Sequence, residues 1–289
     1  MPRFRLLILL AVSGLAAPWP AMAASAPAPP RRIVSLNLCA DQLLIALADK
    51  AQIAALSPLA RDPSLSFYAA PARRLPLTGG GMEELLALQP DLILNPPGRV
   101  RHGLAALGGG RAAMIDIADA TTPDEIFRNI RIVAKAIGHS ARGEALIRRM
   151  REDISRLSAG RPGRSGIAAY YQRRGYLTGQ GTLIDDLMTR AGLLNLSVKL
   201  GTPALSAITL EEMVAARPDF LIMDTATRTV ADRGTELLRH PALDKAVPQS
   251  HRLYLPSRLT VCGGPSYAIA LAVLRAQIAA ADKRRPSFR

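Results

Sequence analysis

The stretch GMEELLALQPDLIL, residues 81–94, returns in near-copy as TLEEMVAARPDFLIM, residues 209–223. Aligned, Glu83 meets Glu211, Glu84 meets Glu212, Ala87 meets Ala215, Pro90 meets Pro218 and Asp91 meets Asp219. Most other pairs are apolar against apolar. In the first copy the helix must stop before Pro90, because proline disfavours helical geometry in the residue ahead of it. Asp91-Leu92-Ile93-Leu94 then reads as a buried strand. Two copies are too few for a solenoid. They fit two similar halves that hold the same unit at the same place.

The surrounding text agrees. In the first half, residues 33–36, 53–56 and 112–117 read as strands, and 40–50 as a helix with Leu43, Leu44 and Leu47 on one face. Strands alternating with helices build a mostly parallel sheet. Past Thr122-Pro123 come a helix to about residue 137 and a second over 141–158, with Leu146, Ile147, Met150, Ile154 and Leu157 along one side. At ~1.5 Å per residue the second is about 27 Å long, enough to bridge two lobes. The β/α text resumes with strand 167–171, helix 182–190, the second copy, strand 252–255 and a closing helix over 266–282.

The expected fold class is therefore α/β, with two lobes, each a mostly parallel sheet flanked by helices, joined by a long rigid helix. Its divisions are a signal peptide over 1–23, a leader over 24–30, an N-terminal lobe over 31–138, an interlobe helix over 139–160 and a C-terminal lobe over 161–289. The signal rests on Arg3 and Arg5, an apolar run over 6–17 too short to span a bilayer, and the small-x-small site Ala21-Met22-Ala23. It directs a soluble chain to the periplasm.

The formal net charge is +14. The arginines are scattered, without a stripe or interleaved aromatics, which argues against nucleic acid. An anionic small ligand suits the charge better, with plain solvated surface as the alternative. The two cysteines, Cys39 and Cys262, form no CxxC, so zinc and thioredoxin-like sites fail. One disulfide and two buried thiols both remain open.

Motifs of catalysis are missing: no GxSxG elbow follows the signal, and no HExxH or GxxxxGK[ST] occurs. The four histidines, His102, His139, His240 and His251, are scattered and read as caps or surface residues. Open α/β sheets place ligands outside the carboxyl ends of their strands. There the first half carries Asn37, Leu38 and Cys39, then Arg61, then Thr78, Gly79 and Gly80, then Pro97, Gly98 and Arg99. The second carries Tyr171, Gln172, Arg173, Arg174 and Tyr176, then Ser257 and Arg258. Arginine forks grip carboxylates and catecholates well. As a set these loops, with Arg101, predict a basic, partly aromatic cleft.

RRIVSLNLCADQLLIALAD, GGGMEELLALQPDLIL, the long middle helix, YLTGQGTLIDDLMTRAGLLN and TLEEMVAARPDFLIM, in that order, resemble the periplasmic solute-binding proteins of ABC importers for iron–siderophore, haem or cobalamin. The resemblance covers essentially the whole chain past the signal. It implies a monomeric binding protein and not an enzyme, with no cofactor and no direct metal ligand. A metal chelate would sit in a shallow interlobe cleft that closes only slightly. The contacts it implies are Asn37, Leu38, Arg61, Thr78, Gly79, Gly80, Arg99, Tyr171, Gln172, Arg173, Tyr176, Leu205 and Arg258.

The resemblance also implies that Glu83 and Glu211 dock into arginine pockets on the two permease subunits of an ABC transporter with its ATPases. Two carboxylates related by a pseudo-twofold suit a twofold permease dimer. Such pairs govern orientation and on-rate more than affinity. The helix dipole explains why glutamate is tolerated at a helix start, but not why both lobes carry it.

Departures from the family bear on the cargo. The only tryptophan, Trp19, lies in the signal, and Leu77 and Leu205 stand where cobalamin binders have aromatic walls. That disfavours cobalamin. Haem would require an axial ligand such as Tyr171 or Tyr176. The arginine-rich loops favour an anionic ferric siderophore, with corrinoid or haem as the alternatives. An exported α/β hydrolase-like enzyme and a receptor-reading sensor are the competing classes. Cys39 follows the first strand and Cys262 precedes the last helix, so a disulfide between them would clamp the lobes.

Overall fold

The computed structural model describes residues 28–98, 112–159 and 166–283. The first half forms β1 (Ile33–Ser35), β2 (Ile53–Ala55), β3 (Leu92–Asn95) and β4 (Ala113–Asp116), in the sheet order β2-β1-β3-β4. All its pairings are parallel. Ile33, Val34, Leu92, Ile93 and Leu94 are all buried, the near-continuous apolar run expected of a sheet covered on both faces. Its helices are α1 (Leu38–Leu47), α2 (Ala69–Ala72), α3 (Met82–Leu88) and α4 (Pro123–Ala136).

α5 (Ser140–Ala159) follows, 20 residues long and so about 30 Å. It contains the whole helix expected over 141–158 and buries Ile147, Met150 and Ile154. The second half forms β5 (Ile167–Tyr171), β6 (Tyr176–Thr178), β7 (Leu194–Asn195), β8 (Leu205–Ala207), β9 (Phe220–Asp224) and β10 (Arg252–Leu255). Their order is β10-β9-β5-β6-β8, with β7 also beside β5. β5, β7, β9 and β10 pair in parallel, while β6 pairs antiparallel with both β5 and β8 and so is the one reversed strand among them. Around them lie α6 (Leu183–Ala191), α7 (Leu196–Leu200), α8 (Leu210–Ala216), α9 (Pro241–Ala246), α10 (Ser257–Thr260) and α11 (Tyr267–Asp282).

The reversed strand β6, with β8 beside it, is the main departure from the loop expected over 171–176. The chain turns back through Arg174 at φ 61° and Gly175 at φ 77°, and β6 then pairs with β5. One core runs through both halves: Ile33, Leu94 and Ile130 of the first and Leu187, Ile222 and Leu274 of the second join it, with Ile147, Met150 and Ile154 of α5.

The two copies of the repeat fold as the same unit. Gln89 and Arg217 end α3 and α8 in the left-handed conformation, at φ 45° and 43°, each followed by its proline. Asp91 accepts from the backbone N–H groups of Arg31 and Arg32 at 2.6 and 3.0 Å, just ahead of β1. Asp219 accepts from Ile167 N at 2.9 Å, at the start of β5. Each aspartate thus ties its own strand to the neighbouring central one. Glu84 accepts from Thr78 Oγ1 and from Gly79 N at 2.7 Å, while Glu212 closes a capping box with Thr209. Both carboxyls are held below the ordinary glutamate range, Glu84 first by the Thr78 hydroxyl and Glu212 first by the Thr209 N–H. The fold thus accounts for the second glutamate, the left-handed cap, the proline and the aspartate. Glu83 and Glu211 are exposed and form no hydrogen bond or ion pair among the described residues.

A disulfide joins Cys39 in α1 to Cys262 between α10 and α11, with the Cα atoms 5.3 Å apart across 223 residues of chain.

Candidate functional site

A cavity of about 300 Å³ lies between the lobes. Ser64 and Leu65 line it from the first lobe, and Tyr170, Gln172, Arg173, Asp224, Ala226, Thr227 and Ser257 from the second. Its second-lobe wall is the set of carboxyl strand ends: Gln172 and Arg173 follow β5, Asp224 ends β9, and Ser257 opens α10 after β10. A smaller cavity of about 210 Å³ caps the first sheet, lined by Leu36, Ser57, Pro58, Thr78, Gly79, Gly80, Asn95 and Pro96. There Glu84 braces the Thr78–Gly80 turn from α3.

The hydrogen-bond partners assign the charges. Arg173 Nη2 lies 2.6 Å from Asp232 Oδ2, and that contact is what holds the Asp232 carboxyl below its usual range. Arg61 donates from Nε to Ala72 O at 3.2 Å and from Nη2 to Leu75 O at 2.6 Å. Its fork therefore braces the segment around α2. Asp224 accepts from Ala226 N at 2.6 Å and from the Ser257 hydroxyl, and it has no ion pair among the described residues. Burial, and next the Asp224 charge, push the Tyr170 hydroxyl up to about 12, against a hydrogen bond with Thr260. The described cleft wall thus carries one carboxylate without an ion pair among the described residues, Asp224, the paired guanidinium of Arg173, and otherwise uncharged groups.

Of the residues expected at the site, Gln172 and Arg173 line the interlobe cavity, and Thr78, Gly79 and Gly80 line the first-lobe cavity. Tyr171 does neither: it is fully buried in the second-lobe core, its hydroxyl 3.5 Å from Ile208 O. Its neighbour Tyr170 faces the cleft. Leu38 is buried, and Asn37 caps α1 by accepting from Ala40 N at 2.7 Å. Tyr176 and Leu205, 41% and 57% exposed on β6 and β8, and exposed Arg258 line neither cavity. Leu77 bridges to Leu56 and packs on the core. Arg99 and Arg101 lie outside the described residues, as do Trp19 and the expected signal.

Sequence reasoning missed Ser64, Leu65, Tyr170, Asp224 and Thr227. Asp224 carried a readable signal, since it directly follows a predicted buried strand. Among the described residues no group of three or more His, Cys, Asp or Glu is arranged to hold a metal ion.

A family model described as "Periplasmic binding protein" matches residues 33–259. Solved structures match over nearly their whole length. The periplasmic vitamin B12 binding protein BtuF of Vibrio cholerae aligns with a TM-score of 0.68 and 18% identity, covering 89% of this chain and 99% of that one. The periplasmic haem-binding protein RhuT of Roseiflexus sp. RS-1 aligns at 0.67 and 25%, covering 88% and 99%. An ABC-type Fe3+-hydroxamate transport system structure from Saccharomonospora viridis DSM 43017 aligns at 0.65 and 20%, covering 86% and 92%. No match is found among curated proteins.

Proposed function

The chain belongs to the periplasmic binding protein family, whose members bind solutes and are not enzymes, and on that premise we propose that it is the substrate-binding component of an ABC importer for an uncharged or cationic metal chelate. One observation carries the choice of cargo: the cleft wall holds a carboxylate, Asp224, with no ion pair among the described residues, while its arginine, Arg173, is already paired with Asp232. The anionic ferric siderophore expected from the arginine-rich loops needs free guanidinium groups, and Arg61 and Arg173 are engaged elsewhere.

Similar proteins are titled for vitamin B12, haem and Fe3+-hydroxamate. Haem suits this cleft least. The tyrosine lining it, Tyr170, is itself buried, Tyr171 is buried in the second-lobe core, and Tyr176 lines neither cavity. Ser64, Gln172, Thr227 and Ser257 offer hydroxyl and amide groups that suit the amide rim of a corrinoid or the carbonyl oxygens of a ferric trihydroxamate. Ligand pockets run from about 300 to 1,000 Å³, and this cavity lies at the lower bound.

Delivery is read from Glu83 and Glu211, the two glutamates of the repeat for which the fold has no use. They would meet cationic pockets on a twofold permease, with the binding protein acting as a monomer exported by a cleaved signal over 1–23.

Titration calorimetry on the purified protein tests the cargo class. The ligands are a corrinoid, neutral and cationic ferric trihydroxamates, haemin and an anionic ferric catecholate. Binding is expected for the corrinoid or the trihydroxamates, and Asp224→Asn weakens the cationic chelate more than the neutral one. Binding confined to the catecholate contradicts the reading.

A further inference from the structure

We propose that the Cys39–Cys262 disulfide is a strap at the base of the cleft that limits how far the lobes open, so that the resting width of the ligand-free cleft depends on the redox state of one bond. The topology is the first ground. Chain continuity passes from the first sheet to the second once, from β4 through α4 and α5 into β5. Apart from the core the halves share around α5, that crossing is their one covalent link before the disulfide is counted. The disulfide adds a second covalent crossing, between residues 223 apart in sequence. Two separated tethers leave rotation about the line through them as the easy motion.

Position is the second ground. Cys39 lies in the first turn of α1, which starts at the carboxyl end of β1. Cys262 follows α10, whose first residue, Ser257, lines the interlobe cavity. The bond therefore lies on the ligand side of both sheets. α5, the other crossing, instead packs its buried face into the shared core.

The third ground is the contact around the bond. A Cβ on Gly263 would stand 1.9 Å from Ala120 O, so only glycine permits the loop after Cys262 to rest on the first-lobe segment. Next to this contact a cavity of about 120 Å³ is lined by Cys39, Asp119, Thr121, Leu183 and Cys262. Cys262 is buried and Cys39 half-buried, so an attacking thiolate meets the Cys39 sulfur first and Cys262 departs as the thiolate. A dithiol reductant completes the exchange by forming its own disulfide, and the protein gains two electrons and two protons as two thiols. Without the bond, backbone contact at Gly263 is what remains of the strap.

Pulsed EPR on the full chain tests this, with genetically encoded, cysteine-independent spin labels at exposed Arg74 and Lys199, one on each lobe. Distances are read on the oxidised protein, on the same sample after a phosphine reductant, and on C39S/C262S. In the reduced and substituted forms the distribution shifts to longer distance and broadens, while circular dichroism stays native. Superposable distributions at full reduction overturn the proposal. Unfolding of the wild-type protein on reduction overturns it too, because the bond then serves stability and not cleft width.

Discussion

Asp41 is the most perturbed carboxyl of the first lobe. It is fully buried on α1, accepting from Ser57 N at 3.1 Å and Ser57 Oγ at 2.5 Å. Burial raises its pKa from 3.8 to about 6, against hydrogen bonds with Ser35 and Ser57. A carboxyl raised in the folded state contributes stability that is fully present below its unfolded value and lost as pH rises through the folded one. Between pH 7 and 4 this group alone adds about 2 kcal/mol. Asp41→Asn should remove that gain, so its melting temperature rises less than wild type between pH 7 and 5. Parallel melting curves across that window contradict the assignment. Residue-scale features such as this were the least legible in the sequence. Strand periodicity separates Tyr170 from Tyr171 onto opposite faces, but the side that packs against α8 is a tertiary fact. The partners of Arg61 and Arg173 are equally non-local, with Asp232 59 residues from Arg173.

At the level of elements, most of the fold could be read. Long apolar-periodic segments and their caps carry strong local signals, and α4, α5, α6 and α11 fall within a residue or two of expectation. β6 and β8 were not read because each has three residues and draws its stability from pairing, not from its own pattern. The repeat is the clearest case of an element built twice. Its caps are separable from its exposed glutamates, and a single substitution shows this. Thr209→Ala removes the hydroxyl that accepts from Glu212 N at 3.1 Å, and should cost about 1 kcal/mol. For a chain this size that lowers the melting temperature by about 2–4 °C. Ligand affinity should not change, because α8 lies off the cleft; an affinity loss alongside the melting shift would place α8 in the binding machinery. Glu211→Ala, by contrast, should leave the melting temperature within about 1 °C of wild type, as surface substitutions away from special features do.

Across the whole molecule, two sheets, one crossing helix and one disulfide hold a cleft whose described wall carries one carboxylate and one paired arginine, in a chain of formal net charge +14. Net charge alone did not describe the cleft wall, because Arg61 is committed to backbone carbonyls and Arg173 to Asp232. The two-lobed architecture was legible because the repeat announced it. The cleft's charge was not, because it depends on which groups pair across lobes and loops. What unites fold and function in this account is the pair Glu83 and Glu211, which the repeat preserves without structural need. The most direct test is uptake of a radiolabelled chelate, one that the purified protein binds, by cells carrying Glu83→Arg with Glu211→Arg. Uptake is expected to fall about tenfold or more while chelate affinity in vitro stays at the wild-type value, since the charges serve docking and not capture. Uptake at the wild-type rate contradicts it.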